Sequence, residues 1–172
     1  MSANERYWAF LSVLHRRPDA WAALSGSANN PDLHGTVRFY QTKYGVLTAA
    51  EVSGLPAAAE RCGNAVFGFH IHSGSRCSGN EDDPFADALT HYNPENCPHP
   101  AHAGDLPPLF ANRGYAFQVF LTDRFSVREI IGRTVIIHDA PDDFTSQPAG
   151  NAGAKIACGQ IRARQARADG QI

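Results

Sequence analysis

The stretch Ala65-Val66-Phe67-Gly68-Phe69-His70-Ile71-His72 alternates in type with a period of two, the pattern of a β-strand with one buried face. On an extended chain Phe67, Phe69 and Ile71 point one way, while Val66, Gly68, His70 and His72 point the other. One side feeds a core and the other presents two imidazoles. The pattern recurs in Thr134-Val135-Ile136-Ile137-His138, which predicts Val135 and Ile137 inward and His138 outward at the strand's end. Working outward, Ala20 to Ser25, Gly35 to Gln41, Val46 to Ser53, Tyr115 to Leu121 and Lys155 to Arg162 also read as strands, most of them bounded by turn residues. Seven short strands predict a sandwich or barrel.

Composition agrees with an all-β reading. The 172 residues suit one domain, and 15 Gly with 11 Pro favour turns between short strands over long helices. Fifteen Lys and Arg against 17 Asp and Glu give a net charge of -2, which argues against a partner held by a strong basic field, so no nucleic acid is expected. No apolar run approaches the roughly 20 residues that span a bilayer, so no membrane partner is expected either. Near the N-terminus Tyr7, Phe10, Leu11 and Leu14 recur at helical spacing, with Asn4 to cap and Pro18 beyond the end, predicting an amphipathic helix over residues 5–16. That segment follows Glu5 rather than a basic stretch and has no small-residue cleavage site after it. The expected location is therefore cytoplasmic, with export as the alternative if a leader has been removed. The chain divides into a helical extension (1–18), a β domain (19–162) and a polar tail (163–172). Cys62, Cys77, Cys97 and Cys158 permit two disulfides and leave the redox compartment open.

The chemistry lies in the connections. Some forty residues between His72 and Tyr115 show no clear periodicity, far beyond the ~4 to 6 residues of an ordinary loop. They hold His91, Cys97, His99, His102 and Asp105, and six of the eight histidines fall between His70 and His138. His99, His102 and Asp105 follow one another at spacings of three, which with His91 suits a closed tetrahedral metal site. His70 and His72 alone are weak, but these residues together with His138 form seven groups that call for one explanation, a metal centre. A binuclear zinc hydrolase is disfavoured, because Ser73-Gly74 follow the His-x-His pair and no Asp-His continues it. His15 and His34 lie outside every motif and read as surface or packing residues.

Five motifs, in order, carry a family resemblance: Gly68-Phe69-His70-Ile71-His72, His91-Tyr92-Asn93-Pro94, His102-Ala103-Gly104-Asp105-Leu106, Ile131-Gly132-Arg133-Thr134-Val135-Ile136-Ile137-His138, and Gly150-Asn151-Ala152-Gly153-Ala154-Lys155-Ile156-Ala157-Cys158-Gly159. From about residue 20 to 161 the chain resembles the copper,zinc superoxide dismutases, of the bacterial type with short loops. The resemblance implies an eight-stranded Greek-key β-barrel, one strand more than the patterning shows, with the active site outside the barrel between two long loops. It implies copper on His70, His72, His91 and His138, and zinc on His91, His99, His102 and Asp105, so that His91 is shared. Imidazoles suit a copper ion cycling between Cu(II) and Cu(I), and three nitrogens with a carboxylate suit redox-silent zinc. Only Pro100 and Ala101 separate His99 from His102, a shorter zinc segment than in better-known relatives.

Asp142 matches the family's carboxylate that joins a copper-side to a zinc-side histidine, here His70 and His99, and would fix their tautomers. Asp87, Asp139 and Asp143 read as surface charges. Lys155 stands where the family has an arginine that guides the anion; a lysine keeps the charge but gives up the planar fork. Cys77 and Cys158 match the family's disulfide, whereas Cys62 and Cys97 have no counterparts, and a thiolate from Cys97 on zinc is a minor alternative. The activity implied is dismutation of superoxide, the substrate and sole small-molecule partner, to dioxygen and hydrogen peroxide, with His91 and Lys155 as the catalytic side chains. A dismutase-like copper/zinc-binding protein with little turnover is the alternative, motivated by Lys155 and the short loops. Relatives pair through barrel faces, so a homodimer is expected unless the N-terminal helix blocks the contact.

Overall fold

The Ala65–His72 stretch forms two strands rather than one, and the break at Gly68 is what carries the chain from one sheet to another. In the computed structural model, which describes residues 3–57, 63 and 65–164, β4 (Val66–Phe67) pairs with β6 (Leu109–Phe110), whereas β5 (Phe69–His72) pairs with β8 (Thr134–His138). Gly68 N–H donates to the Ala140 carbonyl and its own carbonyl accepts from His138 N–H, each at 2.8 Å. A Cβ at position 68 would lie 2.9 Å from the Ala152 Cβ, so the strand can bend against its neighbours only as glycine.

The remaining strands are β1 (Ala20–Gly26), β2 (His34–Thr42), β3 (Gly45–Ser53), β7 (Ala116–Thr122) and β9 (Lys155–Ala163). The larger sheet runs β5-β8-β9-β1-β2-β3-β7 and curls round. A short turn held by the Asn112–Tyr115 pair links β6 to β7, so β4 and β6 bring the two ends of the sheet together. Because β3 pairs with β7 and not with the strand that follows it, the chain makes a Greek-key crossing. Counting β4 and β5 as one bent run gives the eight strands that the resemblance implies. The barrel is filled from inside by Phe39, Phe67, Phe69, Ile71, Leu109 and Ile137, all fully buried.

Helix α1 spans Ala3–Leu14, two residues earlier than expected at each end. Phe10, Val13 and Leu14 pack on Tyr40, Leu47 and Ala49, on the outer surface of β2 and β3. Short elements escaped the sequence reading, among them the single 3-10 turn Ala86–Ala88. β6 has only two residues and offers no period to read, and α2 (Val127–Ile130) is a single turn, although its Ser126/Glu129 capping box is visible in the sequence. At the C-terminal end Ala163 closes β9 and Arg164 N–H donates to the Asp19 carbonyl, while residues 165–172, the rest of the expected tail, lie outside the described residues, as does Cys62. Cys77 and Cys158 form a disulfide that ties the loop after β5 to β9. No described helix is long and apolar enough to cross a membrane.

Candidate metal centre

β5 and β8 lie side by side, so the alternation that buries Phe69, Ile71 and Ile137 turns His70, His72 and His138 onto one outer surface. That surface is not exposed, because the two long connections fold over it and leave all three rings buried. His91 joins them through a bridge to His72, and Asp105 through a bridge to His70. The ligand atoms of His70, His72, His91 and His138 lie within 4.8 Å of one another, and so do those of His91, His99, His102 and Asp105. The two groups share His91. Cys97 does not converge on either; its backbone N–H and carbonyl bond to the Asn93 side chain and its thiol is free.

Hydrogen bonds set the tautomer of each ring on the first group. His72 Nδ1–H donates to the Leu89 carbonyl at 2.8 Å and His138 Nδ1–H to the Gly153 carbonyl at 3.1 Å. Both Nε2 lone pairs then face each other 3.3 Å apart, an arrangement that repels unless a cation lies beside them. His70 is set the other way round. Its Nε2–H donates to Asp142 Oδ2 at 2.7 Å, leaving Nδ1 buried without a partner.

The second group closes on Asp105. His91 Nδ1 is 2.8 Å, His99 Nδ1 3.0 Å and His102 Nδ1 3.3 Å from its carboxylate oxygens. Only the first contact is aligned as a hydrogen bond, and the Nδ1 atoms of His99 and His102 remain unpaired, as does His91 Nε2 on the other side of the ring. Ring nitrogens that crowd a carboxylate without bonding to it make a donor set that could hold a metal ion. Four buried, unpartnered imidazole nitrogens would be a costly defect in a metal-free core, and they fit two cations with a ring between them.

Asp142 joins the groups, accepting from His70 Nε2 at Oδ2 and from His99 Nε2 at Oδ1, 2.9 Å away, as well as from Phe144 N–H. Gly150 closes over this contact: with φ +66°, a Cβ there would sit 2.0 Å from Asp142 Oδ1. Burial works to raise the Asp142 carboxyl, but the bonds from His70, Phe144 N–H and His99 outweigh it and hold it at about 2. Burial and the neighbouring rings push His72 well below the usual histidine range and His138 down to about 3, and burial also lowers His70. These rings are held neutral, the state that binds a metal. The Asp105 carboxyl, whose burial would raise it, is lowered by the bond from His91.

Lys155 opens β9 opposite His138, at the rim of a cavity of about 530 Å³ that His72, His91 and His138 also line. Its ammonium is not free: it donates to Asp83 Oδ2 at 2.5 Å and to the Phe85 carbonyl at 3.2 Å. Sequence reasoning passed over Asp83. Its signal was the acidic run Glu81-Asp82-Asp83 in the long connection, but nothing in the sequence pairs it with a lysine 72 residues away. The carbonyls of Leu89 and Gly153 leave no sequence signal at all. Asp139 and Asp143 are exposed, as read, and also cap their loop: Asp139 accepts from Ala154 N–H, and Asp143 from Thr145 and Ser146. His15 and His34 are exposed and belong to neither group.

Comparison with known proteins points the same way. The family model described as copper/zinc superoxide dismutase (SODC) matches residues 33–161. Superoxide dismutase (Cu-Zn) 2 of Aquifex aeolicus is 34% identical over 143 residues, which cover 74% of this chain and 78% of that protein. The superoxide dismutase (Cu-Zn) of Photobacterium leiognathi is 32% identical over 142 residues, covering 74% and 78%. The solved structure of the Cu/Zn superoxide dismutase from Brucella abortus superposes with a TM-score of 0.69 at 25% identity, over 82% of this chain and 98% of that one.

Proposed function

Because the chain belongs to the copper/zinc superoxide dismutase family, and is an enzyme that dismutes superoxide with copper and zinc as its metals, we propose that His70, His72, His91 and His138 hold copper and His91, His99, His102 and Asp105 hold zinc. The observation that carries this division is the set of unpartnered buried nitrogens, which splits into two groups at His91. When bound, copper supplies the one-electron couple by which one superoxide leaves as dioxygen and a second, with two protons, becomes hydrogen peroxide, while zinc supplies a redox-silent charge.

The protein's own contribution is orientation and proton placement. His91 presents Nδ1 to the Asp105 side and Nε2 to the other, so its Nε2 can carry a proton whenever that nitrogen is not a ligand. Asp142 keeps the His70 and His99 protons on Nε2 and thus both Nδ1 lone pairs turned to the metals. Lys155 supplies positive charge at the rim, where an anion enters. The alternative of a metal carrier with little turnover is not favoured by the named relatives.

Copper and zinc content measured on the same sample as superoxide turnover tests the reading. His91→Ala should lose both metals and activity, and His102→Ala should keep most copper. Full copper occupancy with negligible turnover in the wild type sinks the enzyme assignment, and unchanged metals in His91→Ala sink the shared ligand.

Residues 19–162 are taken as the dismutase domain, with 1–18 as an extension, since α1 lies on the outside of the barrel and contributes nothing to its interior. For assembly, α1 covers the β2–β3 surface, whereas Phe110 is 65%, Phe117 58% and Leu121 42% exposed on β6 and β7. That bare apolar face supports a homodimer formed through β6 and β7. Light scattering should give twice the 18.6 kDa chain mass, falling to the monomer in Phe117→Glu; a monomeric wild type at high concentration refutes it. The Cys77–Cys158 bridge supports export over a cytoplasmic location, because structural disulfides persist in oxidising compartments. Trapping the thiols in intact cells should find it oxidised.

A further inference from the structure

Between Cys77 and His91 the chain makes a detour over the rim of the copper-side cavity. Phe85 and Ala88 anchor it, buried against Ile136 and Cys158 on the outside of β8 and β9. Asn80 Oδ1 accepts from the N–H groups of both Asp82 and Asp83, which fixes the acidic run, and Asp83 Oδ1 accepts from Phe85 N–H. The remaining oxygen, Oδ2, accepts from Lys155. This carboxylate is therefore built into position and does not trail in solvent.

Apart from the histidines, the charged side chains lining the cavity are Asp82, Asp83 and Lys155. Two carboxylates against one ammonium is an unfavourable rim for an enzyme whose substrate is an anion. Lys155 spends two of its three N–H donors inside the protein, one on Asp83 and one on Phe85. An incoming anion must either share the ammonium with Asp83 or displace it, and it meets the field of that carboxylate in doing so.

We propose that Asp83 is a positioning residue that sets the anion affinity of the copper-side cavity through Lys155, holding the ammonium in an internal ion pair and so lowering the attraction for small anions. The inference rests on the assignment of copper to His70, His72, His91 and His138. Asp83→Asn is the informative change, since it removes the negative charge at nearly unchanged size, and its one amide oxygen can accept from Phe85 N–H or from Lys155 but not from both, which also loosens the ammonium.

The probe is azide, titrated into the copper- and zinc-loaded full chain and followed by the Cu(II) visible spectrum at low ionic strength. Removing one charge a few ångströms from the anion should tighten azide binding about tenfold in Asp83→Asn, an effect that shrinks as salt is added. Asp83→Glu should stay near wild type. Asp87→Asn, which removes the same charge from the same segment but lines no part of the cavity, should shift binding less than about twofold. In a Lys155→Met background the Asp83→Asn effect should fall below about threefold, the cycle isolating the part that acts through the ammonium.

Unchanged azide affinity in Asp83→Asn, an equal gain in Asp87→Asn, or a full effect without Lys155 would each overturn the proposal. Failure of the metal assignment shows differently, as an azide-insensitive Cu(II) spectrum in the wild type and in every variant alike.

Discussion

Asp142→Asn should weaken copper much more than zinc, although the side chain bonds equally to a histidine of each site. The asymmetry follows from the third donor. Oδ1 accepts from both His99 Nε2 and Phe144 N–H, at 2.9 and 2.7 Å, whereas Oδ2 accepts only from His70 Nε2. An asparagine keeps its oxygen where two donors converge and turns its amide nitrogen to His70, setting donor against donor at about 2.7 Å. The buried His70 ring escapes by moving its proton to Nδ1, the nitrogen left free for the metal. Copper affinity should then fall about 10- to 100-fold, as for the loss of other outer-shell partners, or about 1.4 to 2.7 kcal/mol. Zinc affinity should change less than about threefold, because His99 keeps its acceptor. Competition against chromophoric chelators reads both metals on one preparation. Zinc falling as far as copper, or neither moving, would refute the tautomer argument.

Three further outcomes follow from the same geometry. Gly150→Ala should destabilise the metal-free protein by about 2 to 4 kcal/mol in urea unfolding, because its Cβ would strike Asp142 and His99; Gly132→Ala, with φ +86° but nothing within 4 Å, should cost only about 1 kcal/mol of backbone strain. Leu89 adopts φ 62°, ψ -142°, close to a region that suits glycine, to aim its carbonyl at His72, and its side chain is 59% exposed, so Leu89→Gly should raise the urea midpoint by about 1 kcal/mol equivalent without loss of copper. Metal-free stability should decline as pH falls from about 6.5 to 3, since an unfolded chain protonates His138 near 6.5 while the folded one resists to about 3; unfolding midpoints across that range should fall less steeply in His138→Gln, the remaining slope coming from His70 and His72.

The sequence by itself determined the barrel, because strand alternation is a local property: a period of two at Phe67, Phe69 and Ile71, and again at Val135 and Ile137, specifies an inner face wherever the strands go. It also singled out the candidate ligands, since metal chemistry demands rare residue types and their spacing along the chain survives folding, and the structure brings those residues into two groups. Gly68 shows where this stops. Its bend is invisible to periodicity, because it depends on backbone partners at His138 and Ala140 that lie about 70 residues away. The tertiary structure alone decided which nitrogen of His72 and of His138 is turned into the site, for that is set by carbonyls at Leu89 and Gly153 that any residue could supply. It alone decided that Lys155 is held by Asp83, since a long-range ion pair depends on how two loops close over a sheet and leaves no period, motif or composition to read.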